Sequence, residues 1–152
     1  MFLSIARKIA GVLAATIVLL SLTVGVQAEN NSYLPPAKAY EMVQAEKATL
    51  IDIRHPEEWR QTGIAKGALR VEMVAPQMAT EFAQQVRKAV GGKTDAPIIL
   101  ICRTGHRTSL MQAALTQLGF KHVYQVYGGM MGRIGAPGWV ATGLPVEPCP
   151  KC

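Results

Sequence analysis

Short runs of apolar residues along the chain predict the buried strands of a sheet. Residues 48–53 (ATLIDI) and 96–101 (APIILI) are apolar without alternation and rich in branched side chains, a pattern typical of strands that are covered on both faces. Residues 122–129 (HVYQVYGG) predict a third strand that ends at two glycines, and residues 68–73 (ALRVEM) are a further candidate. The sheet is therefore expected to have a core on each side.

Segments with helical character lie between these runs. Residues 36–46 (PAKAYEMVQAE) place helix formers after Pro35 and Pro36. Residues 55–63 (HPEEWRQTG) have a proline and two acids near their start and end at glycine, as short capped helices do. Two longer segments, residues 76–92 and 108–119, each carry one apolar face and stop at glycine. These faces consist of Met78, Phe82, Val86 and Val90 in the first, and Leu110, Met111, Ala114, Leu115 and Leu118 in the second. Strands that alternate with helices in this way predict an α/β fold, a parallel sheet with helices on both faces.

The N-terminus has the pattern of an export signal. Arg7 and Lys8 precede an uncharged apolar stretch, residues 9–28, which ends in Val26-Gln27-Ala28. This pattern favours a signal peptide cut after Ala28. An uncleaved anchor is the alternative, because about 20 apolar residues can span a bilayer, and it would imply attachment to a membrane. Either interpretation predicts a periplasmic or otherwise exported protein.

Length and composition predict one packed domain. The chain has 152 residues, of which 49% are hydrophobic and 17% charged, so a single core is expected. After the signal at 1–28 we expect a polar lead-in at 29–35, the domain at 36–147 and a short tail at 148–152. The net charge is +6, but the lysines and arginines are scattered, so nucleic acid is not expected as a partner.

An odd number of cysteines in an exported chain leaves one thiol free. The three cysteines are Cys102, Cys149 and Cys152, and oxidising surroundings would pair two of them. The spacing indicates that Cys149 pairs with Cys152 in the tail sequence CPKC and that Cys102 remains a thiol. A metal at the tail is a weaker interpretation, because zinc would need two further ligands and none is suitably spaced. No metal and no cofactor are expected.

The segment from Cys102 to Arg107 is a candidate site. It joins a buried strand to a helix, and sites in parallel sheets form beyond the carboxyl ends of the strands. Gly105 permits a tight curl, so that backbone N–H groups and the helix N-terminus can stabilise an anion. Helix N-termini and nearby cations lower the pKa of a cysteine, and Arg103 and Arg107 would attract an anionic substrate, with His106 adding charge or a proton. A merely packed cysteine is the alternative, but two arginines within five residues argue against it.

Several separated motifs resemble those of a single-domain rhodanese, a sulfurtransferase. They are LIDIRHPEEW, GIAKGA, LICRTGHRTSLMQAALTQLGF and VYGGM followed by GWVATGLPV, and they cover most of residues 36–147 in the family's order. The resemblance implies a mostly parallel, five-stranded sheet with helices on both faces. It also implies that Cys102 is the nucleophile that becomes a persulfide, and that Asp52 and Arg54 support the loop. The active-site loop would be Arg103, Thr104, Gly105, His106, Arg107 and Thr108.

The resemblance also carries expectations about the reaction. The loop has four residues between Cys102 and Arg107, one fewer than in related phosphatases and arsenate reductases, which favours a sulfur atom over a phosphoryl group. The expected donor is an anion such as thiosulfate, and the acceptor is cyanide or a thiol, which could include the thiols of the tail. A sulfur carrier that hands its persulfide to another protein is the alternative function.

Two departures from the family pattern concern the surroundings of the site. The family's histidine is absent from Gly63-Ile64-Ala65-Lys66-Gly67-Ala68, and its tryptophan is displaced to Trp139, ten residues after Gly129. No role is therefore transferred to the missing histidine.

Overall fold

A computed structural model describes residues 32–152 of the chain. Its strands are β1 (Tyr33–Leu34), β2 (Thr49–Asp52), β3 (Ile64–Ala65), β4 (Leu69–Arg70), β5 (Ile98–Ile101), β6 (Val123–Val126) and β7 (Val146–Glu147). Five of them form a parallel sheet in the order β1-β6-β5-β2-β4, and β3 pairs with β7 in a separate antiparallel pair. The predicted α/β fold with a five-stranded sheet is confirmed.

Helices cover the sheet on both faces. They are α1 (Pro36–Gln44), α2 (Pro56–Thr62), α3 (Ala79–Ala89), α4 (His106–Gln117) and α5 (Gly138–Ala141), and a single 3-10 turn, Pro76–Met78, precedes α3. One core cluster packs α3 and α4 against the sheet, and a second packs α1 and α5 against the other face. The central strand β5 has all four of its residues buried, because alternate side chains enter the two clusters.

The register of the sheet brings chemically active residues to one edge. Asp52 at the end of β2 is aligned with Ile101 of β5 on one side and with Arg70 of β4 on the other. Since all these strands are parallel, their carboxyl ends share that edge. Cys102 follows Ile101 directly and is placed there as well.

Some elements differ from the expectations. Tyr33 and Leu34, which the sequence assigns to the lead-in, form the edge strand β1 because they pair in parallel with β6. Helix α4 begins at His106, two residues before the predicted start, since Gly105 ends the turn in a left-handed conformation. Leu110 and Leu118 were expected on the apolar face of α4 but are exposed, while Met111 and Leu115 are buried.

The other long helix also begins differently. Met78, expected on the apolar face of residues 76–92, is exposed because it lies in the 3-10 turn before α3. Phe82 and Val86 carry the buried face, and Val90 packs at its edge. Three-residue periodicity in that first turn rotates Met78 away from the stripe that the longer helix buries.

Within residues 32–152, no helix is long and apolar enough to cross a membrane. The apolar stretch 9–28 and the cleavage point after Ala28 lie outside the described residues, so export and attachment stay predictions.

Candidate active site

Cys102 lies at the junction of β5 and the loop that leads into α4. Its side chain is 1% exposed and belongs to the core cluster beneath α3 and α4, and it is a free thiol. The loop turns at Gly105, whose φ of +99° is a conformation that side chains rarely adopt. This turn brings the chain back over the cysteine before α4 begins.

A backbone donor contacts the sulfur. The N–H of Gly105 donates to Cys102 Sγ over 3.2 Å, and the Thr108 hydroxyl oxygen lies 3.9 Å from the same sulfur. Gly105 is the residue immediately before α4, so its N–H adds to the partial positive charge of the helix N-terminus. The sulfur thus accepts a backbone hydrogen bond at the N-terminus of a helix, which is the kind of position in which reactive cysteines are found.

Polar side chains form a network beneath the loop. Thr108 Oγ1 lies 2.9 Å from the carbonyl oxygen of Gly105 and 3.0 Å from Gln125 Oε1. Ser109 Oγ lies 3.1 Å from Gln125 Oε1 and 3.1 Å from the hydroxyl of Tyr33. Thr108 and Gln125 are buried, and their satisfied hydrogen bonds hold the first turn of α4 against β6 and β1.

The turn after β6 packs directly on the backbone of the site. The N–H groups of Met130 and Met131 donate to the carbonyl oxygens of Cys102 and Arg103 at 2.8 and 2.9 Å. Gly129 makes this approach possible, because a Cβ there would collide with the Cys102 carbonyl oxygen and lie 2.9 Å from the carbonyl carbon of Arg103. The backbone at Cys102 is thus held both by strand β5 and by the turn after β6.

An ion pair ties the loop to α2. Arg107 donates from its two terminal nitrogens to the two carboxylate oxygens of Glu58, each over 2.7 Å, and the side chains are only 20% and 14% exposed. Glu58 also accepts the backbone N–H of His55, which precedes α2. Such a bidentate pair fixes the relative orientation of the two side chains as well as their distance.

The pair changes the pKa of both partners. Burial alone would raise the pKa of Glu58, but hydrogen bonds from Arg107 and the His55 N–H outweigh it, so the pKa lies below its ordinary value. Burial alone would lower the pKa of Arg107, but Glu58 outweighs it, with smaller contributions from Cys102 and Asp52, and the pKa is raised. Arg107 therefore stays charged beside Cys102, and its guanidinium is already engaged by a carboxylate.

Asp52 and Arg54 form a buried support for α2. Both side chains are fully buried, and the Nη2 of Arg54 lies 2.7 Å from Asp52 Oδ2. Arg54 also donates to Thr62 Oγ1 at 2.6 Å and to the carbonyl oxygen of Gly63 at 2.7 Å. The carboxyl end of β2 is thereby bonded to the end of α2, the helix that carries Glu58 toward the loop.

The remaining loop side chains face the surface. Arg103 and His106 are exposed, and a shallow hollow of about 230 Å³ is lined by Thr104, Gly105, His106, Ser109 and Arg133. The loop residues that the sequence groups together thus divide in the structure. Gly105 and Thr108 contact the sulfur, Arg107 positions the loop through Glu58, and Arg103 and His106 are free to meet a substrate. Direct contact between a substrate and any of them stays a prediction.

The structure joins Cys149 to Cys152 in a disulfide at the β4 edge of the sheet. Arg70 of β4 donates to both sulfurs. Two strand spacings, about 10 Å, separate β4 from β5, which leads to Cys102. The side chain of Arg70 also points to the opposite face from its neighbour Val71, which shares a core cluster with Cys102. The tail and Cys102 are therefore two separate sulfur sites.

The fold and this loop define an α/β protein with a free cysteine in a backbone cradle at the carboxyl end of a central strand. The model of the rhodanese-like domain family matches residues 35–133. The chain belongs to this family. The resemblance drawn from the motifs is thereby confirmed at the level of the family.

Relatives include both sulfurtransferases and another class of enzyme. The chain is 31% identical over 114 residues to the thiosulfate sulfurtransferase GlpE of Actinobacillus succinogenes. The aligned region is 75% of this chain and 88% of that protein. It is 30% identical over 115 residues to the tRNA uridine(34) hydroxylase of Legionella pneumophila, covering 72% of this chain but 44% of that protein. The shared unit in the second case is thus less than half of the relative.

A solved structure resembles the whole fold. The polysulfide-sulfur transferase homodimer of Wolinella succinogenes is 28% identical, with a TM-score of 0.59, over 76% of this chain and 77% of that one. The chain is therefore a rhodanese-like domain with sulfurtransferase relatives.

Sequence reasoning missed two contributors to the site, Glu58 and Gly129, and only one of them lacks a local signal of its role. Glu58 meets Arg107 across 49 residues of chain, and nothing in the sequence around either indicates the pair. Gly129 did have a signal, because a glycine pair directly after a strand often marks close approach of two backbones.

Proposed function

We propose that the protein is a sulfurtransferase that moves sulfane sulfur from thiosulfate to cyanide or a thiol through a persulfide on Cys102. The observation that carries this proposal is the 3.2 Å contact from the Gly105 N–H to Cys102 Sγ at the N-terminus of α4. A thiolate held by a backbone donor is poised for nucleophilic attack without a separate base. The relationship to GlpE, whose name states a thiosulfate sulfurtransferase, supports the choice of donor.

The reaction has two displacements. The Cys102 thiolate attacks the outer sulfur of thiosulfate, the sulfur–sulfur bond of thiosulfate breaks, and sulfite leaves with the bonding pair. The acceptor then attacks the terminal sulfur of the persulfide, and the Cys102 thiolate is released. The same cradle serves both steps, because Cys102 carries the negative charge before the first and after the second.

Exposed cations at the loop favour an anionic donor. Arg103 and His106 lie at the surface of the loop, and Arg133 borders the same hollow. The charges of the two arginines are positioned to attract a dianion such as thiosulfate from solution. Arg107 contributes to the local field, but its two terminal nitrogens are engaged by Glu58.

The test combines turnover with intact mass. Cys102→Ser is expected to lower thiosulfate:cyanide turnover by about 10³-fold or more, because a nucleophile cannot be replaced by its neighbours. Circular dichroism should show an unchanged fold, since serine is of similar size. Wild-type protein treated with thiosulfate should gain the mass of one sulfur atom on the peptide that contains Cys102.

The alternative, a carrier that delivers sulfur only to a partner protein, predicts a different result. A stable persulfide on Cys102 together with negligible cyanide turnover would favour it. Turnover retained by Cys102→Ser would contradict both functions.

Export is part of the same proposal. Arg7, Lys8 and the apolar stretch 9–28 support it, and we propose that the protein acts outside the cytoplasm. Expression of the full chain in a bacterial host, followed by mass measurement of the exported protein, should show an N-terminus at residue 29. Recovery of the full-length protein from the cytosolic fraction alone would contradict export.

A further inference from the structure

The C-terminal tail holds a second sulfur site that the proposed transfer reaction does not use. Cys149 and Cys152 form a disulfide, and the Nη1 of Arg70 donates to both sulfurs, over 3.3 Å to Cys149 and 2.6 Å to Cys152. Arg60 of α2 donates to a main-chain oxygen of Cys152 over 3.0 Å. The pair is therefore bound to two elements of the folded domain.

The two sulfurs are not equivalent. The guanidinium of Arg70 lies closer to Cys152 Sγ, and an arginine keeps its charge at every ordinary pH. A thiolate formed on Cys152 would thus be stabilised more than one formed on Cys149, and the better-stabilised sulfur is the better leaving group in disulfide exchange. Arg70 is itself placed by the Trp59 ring, whose centroid lies 5.9 Å from the guanidinium carbon.

The surface hollows at the tail border Cys149. Two surface hollows, of about 340 and 580 Å³, meet at the tail, and both are lined by Pro148 and Cys149. Cys152 lines neither of these two hollows. A thiol that occupies either hollow therefore lies next to Cys149.

We propose that Cys149 and Cys152 form a dithiol–disulfide exchange site, with Cys149 as the attacked sulfur, Cys152 as the leaving sulfur stabilised by Arg70, and a vicinal dithiol as the partner. A thiolate of the partner attacks Cys149 Sγ, the Cys149–Cys152 bond breaks, and Cys152 leaves as a thiolate. The second thiol of the partner, as its thiolate, then attacks the partner's first sulfur in the mixed disulfide. This step forms the partner's disulfide and releases Cys149 as a thiolate. The partner is oxidised to a disulfide by two electrons, and its two protons go to the tail thiols or to solvent.

This site is independent of the sulfurtransferase function. Arg70 lies on the edge strand β4, two strands from β5, and the disulfide does not contact the described residues of the Cys102 loop through any hydrogen bond. Loss of thiosulfate turnover would therefore leave the exchange reaction unaffected, and failure of the exchange would leave the proposed persulfide chemistry standing.

The first experiment measures the rate of disulfide reduction. The full chain is treated with dithiothreitol, stopped with iodoacetamide at intervals, and digested so that peptides with Cys149 and Cys152 are resolved from the peptide with Cys102. Arg70→Gln should slow the reduction about tenfold, because the leaving thiolate loses its cation. Arg70→Lys should recover part of the loss, since it restores the charge without the planar geometry.

Arg87→Gln is the matched control. Arg87 also places its guanidinium over an aromatic ring, 5.8 Å from the centroid of Phe120, so the substitution removes the same charge and the same kind of ring contact elsewhere. Its reduction rate should stay within about twofold of wild type, as expected of a distant site. Equal rates in Arg70→Gln and wild type would overturn the role of Arg70, and thermal melting of each variant identifies any that has unfolded.

The second experiment tests which sulfur is attacked and which leaves. Brief treatment with glutathione, then acid quenching and peptide mapping, should place the mixed disulfide on Cys149. In the reduced protein, alkylation of Cys152 should reach half its maximal rate at a lower pH than alkylation of Cys149, and Arg70→Gln should remove this difference. Glutathione found on Cys152 instead, or equal alkylation profiles in the wild type, would refute the assignment.

Discussion

The two sulfur sites of this small domain place different kinds of hydrogen-bond donor next to sulfur. At Cys102 the contact comes from a backbone N–H, that of Gly105, and the sulfur is buried. At the tail the contact comes from a side chain, Arg70, and the sulfurs are half-buried. The arginine nearest Cys102 in sequence, Arg103, makes no hydrogen bond to sulfur within the described part of the chain, whereas Arg70 is 79 residues from Cys149. Proximity in sequence is thus a poor guide to which cation serves a cysteine.

The Cys102 loop is held by main-chain contacts, so substitutions that displace the main chain around it should reduce stability far more than substitutions in the tail. Gly129→Ala is expected to destabilise the fold by about 3 kcal/mol or more, because the added Cβ collides with the Cys102 carbonyl and the residue has a positive φ. Sulfur transfer should fall with it. Chemical denaturation monitored by fluorescence measures the first effect, and thiosulfate:cyanide turnover measures the second.

Gly105→Ala is the matched comparison, since Gly105 also has a positive φ but its Cβ would lie 4.0 Å from its nearest neighbour. Only conformational strain applies there, at a cost of about 1–2 kcal/mol. Equal destabilisation by the two substitutions would show that the close approach of the turn to Cys102 is unimportant.

The ion pair that orients the loop should show a distinctive dependence on pH. Glu58→Gln is expected to cost about 1–3 kcal/mol at pH 7, because it weakens a nearly buried pair with Arg107. The pKa of Glu58 is lowered in the folded state, so the stability that its charge provides is present above the unfolded pKa and is lost as the pH falls through the folded one. The difference between the variant and the wild type should therefore shrink below about pH 4.

Glu57→Gln is the control for this prediction. Glu57 is adjacent in α2 and also pairs with an arginine, Arg60, but its side chain is 67% exposed, and exposed pairs contribute little. Urea unfolding at a series of pH values compares the two variants. A gap between Glu58→Gln and wild type that persists unchanged in acid would contradict the role assigned to the charge of Glu58.

The smallest effect on transfer is expected from the tail. Cys149→Ser combined with Cys152→Ser should leave persulfide formation on Cys102 within about twofold of wild type, as expected of separated sites. Stability should fall by at most about 2 kcal/mol, because the disulfide closes a very short loop. Single-turnover mass spectrometry follows the two halves of the reaction separately. A slower second half would show that the tail accepts sulfur from Cys102, and equal rates in both halves would remove that hypothesis.

The sheet and the position of the cysteine could be predicted from local patterns. The continuous apolar runs 48–53 and 96–101 correspond to β2 and β5, since strands buried on both faces need apolar residues throughout. The glycine at 105 and the helical pattern after it were enough to place Cys102 in a turn before a helix. These features depend on near neighbours in the chain.

Features that depend on distant contacts could not be predicted in the same way. β1, β3 and β7 have two residues each, too few for a pattern, and only their partners make them strands. The exposure of Leu110 and Leu118 follows from which face of α4 meets the sheet, which periodicity alone does not decide. Likewise, only the fold brings Glu58 to Arg107.

Because the Cys102 loop is held by main-chain contacts, the proposed sulfurtransferase function predicts that activation of the sulfur and choice of its partner are separable properties. The Gly105 N–H and the carbonyl contacts from the turn after β6 depend on conformation, while Arg103 and His106 present their side chains outward. Related sequences could exchange those outward residues, and with them the molecules they accept, without rebuilding the cradle. An engineer who wished to change the donor would start at those two positions.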